Sequence, residues 1–142
     1  MIFAHSVPVR FHHCDPAGIV FYPRYFDMAN EAVECWFAAR LGAPFWALHG
    51  PMGLATPTVS MEVRFTAPSR HGDLLSVAIR ALRVGRASLD ISTRITAEAE
   101  TRMEMRSTLV LTARDGGRPR PWPEDLRARL LAEANLAEEE TG

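Results

Sequence analysis

The segment YPRYFDMANEAVECWFAARL at positions 22–41 carries a helical pattern that organises the rest of the chain. Pro23 suits the first turn of a helix, and Gly42 is a natural stop just after the segment. The face opposite the apolar stripe has few polar residues, so we expect the helix to be covered on most sides. The apolar side chains recur at the three- and four-residue spacing of one helical face: Tyr22, Phe26, Ala29, Val33, Trp36, Phe37 and Leu41.

Strand patterns surround this helix. A short segment, HSVPVRF at 5–11, precedes it, and Pro8 favours a position at a sheet edge. After a loop rich in glycine and proline the apolar residues alternate, as in strands, in four segments: MEVRF (61–65), DLLSVAIRALRV (73–84), RASLDISTRITAE (86–98) and TRMEMRSTLVLTARD (101–115). These four segments follow one another at hairpin spacing. The sequence therefore predicts an α+β fold, in which an antiparallel sheet of about five strands wraps one long helix.

The end of the chain reads as a second, shorter helix, PEDLRARLLAEA at 123–134, followed by a short acidic tail from about residue 135. We treat residues 1–142 as a single domain. No second helix in the pattern is large enough to share the burial of the long one. We therefore expect one curved sheet to leave part of the helix uncovered, and the chain to associate through a sheet edge into a homodimer or homotetramer.

The composition narrows the choice of partners and location. The chain has 142 residues, 47% of them hydrophobic, and a formal net charge of −1. A protein with a net charge this close to zero has no overall electrostatic attraction for nucleic acid or for an anionic membrane. No apolar run reaches the ~18 residues of a membrane span, and the N-terminus does not resemble a secretion signal. With two cysteines and no disulfide framework, we expect a cytoplasmic protein with free thiols.

Asp15 is the sharpest candidate for chemistry. It lies in the connection CDPAGIV between the first strand and the long helix, beside a turn-forming Pro16 and a glycine that can take a positive φ. Unpaired N–H groups at the start of the helix would face the same space. An acid beside donors that can hold an oxyanion suits hydrolysis of an activated acyl group, although an aspartate here also commonly caps a turn or a helix.

Three segments, CDPAGIVFYPRYF, ATPTVSMEVRF and PSRHGDLL, resemble the 4-hydroxybenzoyl-CoA thioesterase family of the hot-dog fold. The resemblance extends to about residue 113. The related Tol-Pal-associated acyl-CoA thioesterases usually carry Thr-Asp-Ala-Gly-Gly where this chain has Asp-Pro-Ala-Gly-Ile, which favours the aroyl-CoA branch. The resemblance implies an acyl-CoA substrate, a catalytic carboxylate at Asp15 acting as nucleophile or general base, and a Tyr22 backbone N–H that polarises the thioester carbonyl.

The resemblance also implies residues that bind the substrate. Arg86, in the turn-like RVGRAS, matches basic residues that face the CoA phosphates, and a solvated arginine of a hairpin turn is an equal alternative. Gly85 replaces a second basic residue, and Arg83 could supplement the contact. Asn30 stands where the family member acting on 4-hydroxybenzoyl groups carries a carboxylate facing the ring hydroxyl, which argues against para-hydroxy specificity. Thr56 and Thr58 resemble the stretch that lines the acyl pocket, and the alternative is that they are ordinary strand hydroxyls. Trp46 falls near a pocket aromatic, and a core position is an equal alternative.

No metal or other cofactor is expected. His12 and Cys14 share a face if they lie on a strand, but no further ligand appears at a recognisable spacing. The leading hypothesis is a thioesterase for an aromatic or bulky acyl-CoA. The alternatives are a thioesterase for short aliphatic acyl-CoA or for acyl carrier protein, and a non-catalytic module that binds acyl ligands, for which a replaced Asp15 would be the sign.

Overall fold

A computed structural model describes residues 1–141 of the chain. A single 3₁₀ turn, Phe11–His13, precedes the long helix. The helices and strands, in chain order, are β1 Phe3–Pro8, α1 Arg24–Arg40, α2 Phe45–His49, β2 Leu54–Ala55, β3 Thr58–Phe65, β4 Leu74–Val84, β5 Ser88–Ala97, β6 Glu100–Val110, β7 Thr112–Ala113 and α3 Glu124–Thr141. The fold class expected from the sequence is confirmed: a curved antiparallel sheet of five strands packs around α1.

The core forms where α1 meets the inner face of the sheet. The buried side chains of α1 are Tyr25, Met28, Ala29, Ala32, Trp36 and Phe37, one stripe of a helix. On the sheet, alternate side chains face this helix. On β4 the inward-facing, buried side chains are those of Leu75, Val77, Ile79 and Ala81. Completely burying one such large side chain is worth roughly 1.5–3 kcal/mol. This interface therefore supplies much of the driving force for folding.

The order of the strands corrects one expectation. The sheet runs β1-β4-β5-β6-β3, so β4, β5 and β6 are consecutive hairpins as expected, but β3 does not pair with β4. β3 lies at the far edge and pairs with β6, with Val63 opposite Met105, while β4 pairs with β1 and β5. Local alternation cannot distinguish these pairings, since it only fixes which residues face the core. The expected edge position of the strand that contains Pro8 is confirmed.

The C-terminal helix is longer than its sequence pattern suggested. α3 continues to Thr141, so the expected acidic tail from about residue 135 is helical. It packs on β4 and beside α1, where Glu133 accepts a 2.8 Å hydrogen bond from Trp36 Nε1. Leu130 is completely buried and Ala137 nearly so. The expectation that no second helix shares the burial of α1 is therefore wrong, because α3 covers the part of α1 near Trp36.

The other edge of the sheet is open. Seven of the eight residues of β3 are exposed, and its outer edge has no strand partner among residues 1–141. Val59, Met61 and Phe65 expose large apolar side chains there. No helix in the described part of the chain is long and apolar enough to cross a membrane.

Candidate active site

Asp15 lies at the tip of a tight hairpin between β1 and α1. The Asp15 N–H donates to Ile19 O at 3.0 Å, the Gly18 N–H donates to Asp15 O at 2.9 Å, and Cys14 pairs with Val20. Gly18 has φ +81°, a conformation that glycine adopts without steric cost. The Pro-Ala-Gly sequence after Asp15 thus produces a closed turn that fixes the direction of the carboxylate.

The Asp15 carboxylate has one oxygen engaged and one available. Oδ1 accepts the Ala17 N–H at 2.9 Å, which closes the turn. For Oδ2, no hydrogen-bond partner occurs among residues 1–141. Asp15 does not cap α1, since the N-cap position is Pro23, which makes no side-chain capping bond. The turn role and a chemical role are therefore compatible, because they use different oxygens.

Tyr22 lies two residues before the start of α1. Its carbonyl accepts the Tyr25 N–H at 3.1 Å, and the Phe21 N–H just before it donates to His13 O at 2.9 Å. The Tyr22 N–H itself has no acceptor within residues 1–141. A backbone N–H without an intramolecular acceptor can donate to an oxygen atom of a ligand.

A small cavity of about 280 Å³ adjoins this hairpin. It is lined by His12, Cys14, Asp15, Pro16, Phe21 and Arg24. Its flank is basic, and burial, followed by the charges of His12, Arg24 and Arg10, lowers the pKa of His13. The Arg10 N–H also donates to His13 Nδ1 at 2.8 Å, which favours the neutral ring with its proton on Nε2.

A larger cavity of about 700 Å³ lies between α1, the sheet and the segment around β2. Asn30, Thr56 and Thr58 all line it, so the structure brings three of the predicted binding residues together. Apolar walls come from α1 and from inward positions of β5 and β6: Phe26, Ala29, Val33, Ile91, Met105 and Leu109. A volume of this size accommodates an aromatic ring system.

Aromatic side chains separate the two cavities, which share no lining residue. Phe65 of β3 has ring centroids 5.7 Å from Tyr22, 5.8 Å from Tyr25 and 6.3 Å from Phe26. Phe21 contacts Tyr22 in turn, at 5.6 Å. Asp15 and Asn30 therefore stand at opposite ends of one aromatic cluster rather than in one pocket.

The other two predicted binding residues lie elsewhere. Trp46, on α2, is 75% exposed and is absent from the lining of both cavities, so it is not a core tryptophan. Arg86 is exposed in the β4–β5 turn, and its carbonyl accepts the Trp122 N–H at 3.1 Å. A Cβ at Gly85 would meet Ser88 Oγ in its present rotamer, a contact that rotation of the Ser88 side chain would relieve.

Sequence analysis missed several residues that line the cavities. Phe21 and Arg24 line the cavity beside Asp15, together with His12, which was considered only as a metal ligand, and Ser107 lines the larger cavity. Ser107 carried a usable signal, because it is a hydroxyl at an inward-facing position of the apolar strand β6. Within residues 1–141, no group of three or more His, Cys, Asp or Glu side chains is placed to hold a metal ion.

Residues 9–130 match the model of the thioesterase-like superfamily. The chain therefore belongs to that superfamily, and its hot-dog architecture agrees with the solved members. A thioesterase from Thermus thermophilus, solved with coenzyme A and zinc, is 31% identical, with a TM-score of 0.77 and 93% of each chain covered.

Two characterised relatives are similar over shorter spans. A 1,4-dihydroxy-2-naphthoyl-CoA hydrolase from Synechococcus elongatus is 28% identical over 88 residues, 61% of this chain and 64% of that protein. A 4-hydroxybenzoyl-CoA thioesterase from Pseudomonas sp. strain CBS-3 is 33% identical over 73 residues, 49% of this chain and 50% of that protein. The chain thus spans less than two thirds of the length of these relatives.

Proposed function

We propose that this protein is a thioesterase that hydrolyses an aromatic or bulky acyl-CoA to the free acid and CoA. The observation that carries the proposal is the Asp15 carboxylate, held by its own turn through Oδ1 while Oδ2 is available, in a hairpin that ends at the unpaired Tyr22 N–H. Membership of the thioesterase-like superfamily and the similarity to two aroyl-CoA hydrolases support the same chemistry.

The proposed reaction joins an oxygen to the thioester carbonyl carbon and breaks its bond to sulfur. The Tyr22 N–H stabilises the negative charge that develops on the carbonyl oxygen. Asp15 either attacks the carbonyl carbon, forming an anhydride that water then hydrolyses, or removes a proton from the attacking water. In both routes the sulfur leaves with the bonding electrons and is protonated to the CoA thiol. No metal or other cofactor is required.

Asp15→Asn should abolish most of the activity. The amide keeps the shape and its Oδ1 can still accept the Ala17 N–H, but it can neither take a proton nor attack as a carboxylate. Loss of a general base lowers kcat by roughly a hundredfold to ten-thousandfold, and loss of a nucleophile lowers it more. Steady-state hydrolysis of acyl-CoA, followed by thiol release, measures the change.

Cys14→Ser is the matched control, since Cys14 adjoins Asp15 and lines the same cavity. We expect it to retain most of the wild-type activity, with or without a chelator. A folded Asp15→Asn variant with activity within about threefold of wild type would show that Asp15 is not the catalytic carboxylate.

We also propose that the 700 Å³ cavity receives the acyl group, with the thioester reaching past the aromatic cluster around Phe65 to Asp15 on its other side. Its walls are mainly apolar, and Asn30, Thr56 and Thr58 supply a few polar atoms that orient a ring. An amide at position 30 accepts a phenol proton less strongly than a carboxylate does, so the cavity is not specialised for a 4-hydroxyl group. Trp46 is absent from the lining of this cavity within one chain.

A substrate panel tests this assignment. Benzoyl- and phenylacetyl-CoA should be hydrolysed at least as fast as 4-hydroxybenzoyl-CoA, and all three faster than short aliphatic acyl-CoA or acyl carrier protein substrates. Asn30→Asp should shift the ratio of kcat/KM toward the hydroxylated ring, while Asn135→Asp, a control on α3, should leave the ratio unchanged. A wild-type preference of about a hundredfold for the 4-hydroxy substrate would refute the role of Asn30.

Arg86 is proposed to bind the CoA phosphates, with Arg83 as a supplement. These phosphates are remote from the thioester, so the contact contributes equally to ground state and transition state. Arg86→Ala should therefore raise KM by several-fold to about a hundredfold and change kcat little. Arg94→Ala, on the middle of β5, should change neither.

The Arg86 effect should weaken at high salt and vanish with a pantetheine thioester, which lacks the nucleotide phosphates. Equal impairment on CoA and pantetheine substrates would instead mean that Arg86 is structural.

Association into a homodimer or homotetramer is proposed through the open edge of β3. Its unpaired backbone groups and exposed Met61 and Phe65 favour pairing with a second copy. Sedimentation velocity should show a particle of at least two chains. Met61→Asp should shift it toward the monomer, and Leu82→Asp, at an exposed apolar position of β4, should not. A monomeric wild-type chain would overturn the proposal.

A cytoplasmic location is proposed as well, in keeping with the two free thiols Cys14 and Cys35. Cell fractionation tests it, and recovery of the protein outside the cytoplasm would contradict it.

A further inference from the structure

A buried polar cluster lies directly beneath the Asp15 hairpin, at the turn between β3 and β4. Its centre is Ser69, whose side chain is fully buried at 0% exposure. Ser69 Oγ accepts a 3.0 Å hydrogen bond from Tyr25 OH and a 3.1 Å bond from Arg102 Nη1. Tyr25 and Arg102 are themselves only 4% and 8% exposed. One hydroxyl therefore joins the first turn of α1 to strand β6.

The same turn holds the hairpin through its backbone. The Val20 N–H donates to Ser69 O at 2.8 Å, and Ile19 forms a bridge with Arg70. Ile19 is the residue whose carbonyl accepts the Asp15 N–H. Two hydrogen bonds therefore connect Asp15 to the Ser69 backbone: the Asp15 N–H donates to Ile19 O, and the N–H of the next residue, Val20, donates to Ser69 O.

Arg102 of β6 contacts the turn between β3 and β4 through its guanidinium group. Its Nη1 lies within hydrogen-bond distance of three oxygens: Pro68 O at 3.1 Å, Ser69 Oγ at 3.1 Å and Asp73 Oδ2 at 2.8 Å. Its Nε is 2.8 Å from Glu100 Oε1 without the alignment of a hydrogen bond. A guanidinium suits this task, because it presents several donors in a rigid plane and stays charged when buried.

Asp73 completes the cluster. Its Oδ2 also accepts the Arg70 N–H at 2.9 Å, and its carbonyl accepts the Val9 N–H at 2.8 Å. The Arg70 N–H and then the Arg102 guanidinium hold the pKa of Asp73 below its ordinary range, so the carboxylate is charged at neutral pH. The buried Arg102 and its partner Asp73 thus stabilise a turn that contacts the sheet, the hairpin and α1.

We propose that Arg102 and Ser69 are positioning residues for the reaction. They hold the Asp15 hairpin in one orientation relative to the first turn of α1, which begins just after Tyr22. The inference rests on the proposed function. The carboxylate lies at the tip of the hairpin and the Tyr22 N–H lies at its end, next to α1, so the rate depends on how the hairpin is held against α1. Substrate binding in the larger cavity and at Arg86 involves neither Ser69 nor Arg102.

Ser69→Ala is the principal test, because it removes the shared hydroxyl and keeps the backbone acceptor for Val20. We expect kcat to fall about tenfold to a hundredfold, with KM within about twofold, at a temperature where circular dichroism shows a folded chain. Tyr25→Phe removes only the link to α1 and should lower kcat less. Arg102→Lys, which keeps the charge, should retain more kcat than Arg102→Gln. Arg94→Gln, which removes an exposed arginine paired with Glu104, is the control and should leave kcat unchanged.

Amide hydrogen exchange gives a readout that does not need activity. Ser69→Ala and Arg102→Gln should accelerate exchange of the Val20 and Asp15 amides, while the amide of Ile91 in the centre of the sheet keeps its protection. A wild-type chain without thioesterase activity would refute the proposed function, and the exchange data would still decide whether this cluster holds the hairpin. Unchanged exchange at Val20, or a lower melting temperature with kcat within about twofold of wild type, would overturn the positioning role.

Discussion

The burial of α1 against the inner face of the sheet is the interaction on which the rest of this structure depends. Ala32, Trp36 and Phe37 are completely buried there, against inward residues of the central strands. Ala32 lets the helix approach the sheet closely, while Trp36 and Phe37 fill the space further along. Only one orientation of α1 buries its apolar stripe against the sheet. This orientation fixes where the helix begins, and therefore where Tyr22 lies.

The segment before α1 must then reverse direction in a few residues to reach that start. The Asp-Pro-Ala-Gly turn does this with two backbone hydrogen bonds and a glycine at positive φ. The aspartate serves the turn with one oxygen and leaves the other available. Local folding and proposed chemistry thus use the same side chain, and the buried Ser69–Arg102 cluster ties that turn to the sheet rather than leaving it as a free loop.

The distribution of burial around the sheet is uneven. α3 lies beside the part of α1 near Trp36, where Glu133 accepts the Trp36 Nε1–H, whereas β3 and the rings of Phe21, Tyr22 and Phe65 are exposed. Phe21 of the aromatic cluster lines the smaller cavity, and Phe26 of the cluster, together with Met61 of β3, lines the larger one. The proposed association through β3 would cover the same region, which connects the assembly of the protein to its proposed site.

The sequence by itself determined the fold class, the helix of α1 and the strand character of β4, β5 and β6, because these follow from periodicity that each segment carries alone. It also singled out Asp15, since the turn residues are contiguous, and it grouped Asn30 with Thr56 and Thr58 through a family resemblance. Only the tertiary structure decided the rest. The partner of β3 depends on contacts between residues far apart in the chain, such as Val63 with Met105. The length of α3 depends on what Leu130 and Ala137 pack against, and the Tyr25–Ser69–Arg102 cluster joins three segments whose spacing in the chain gives no local pattern.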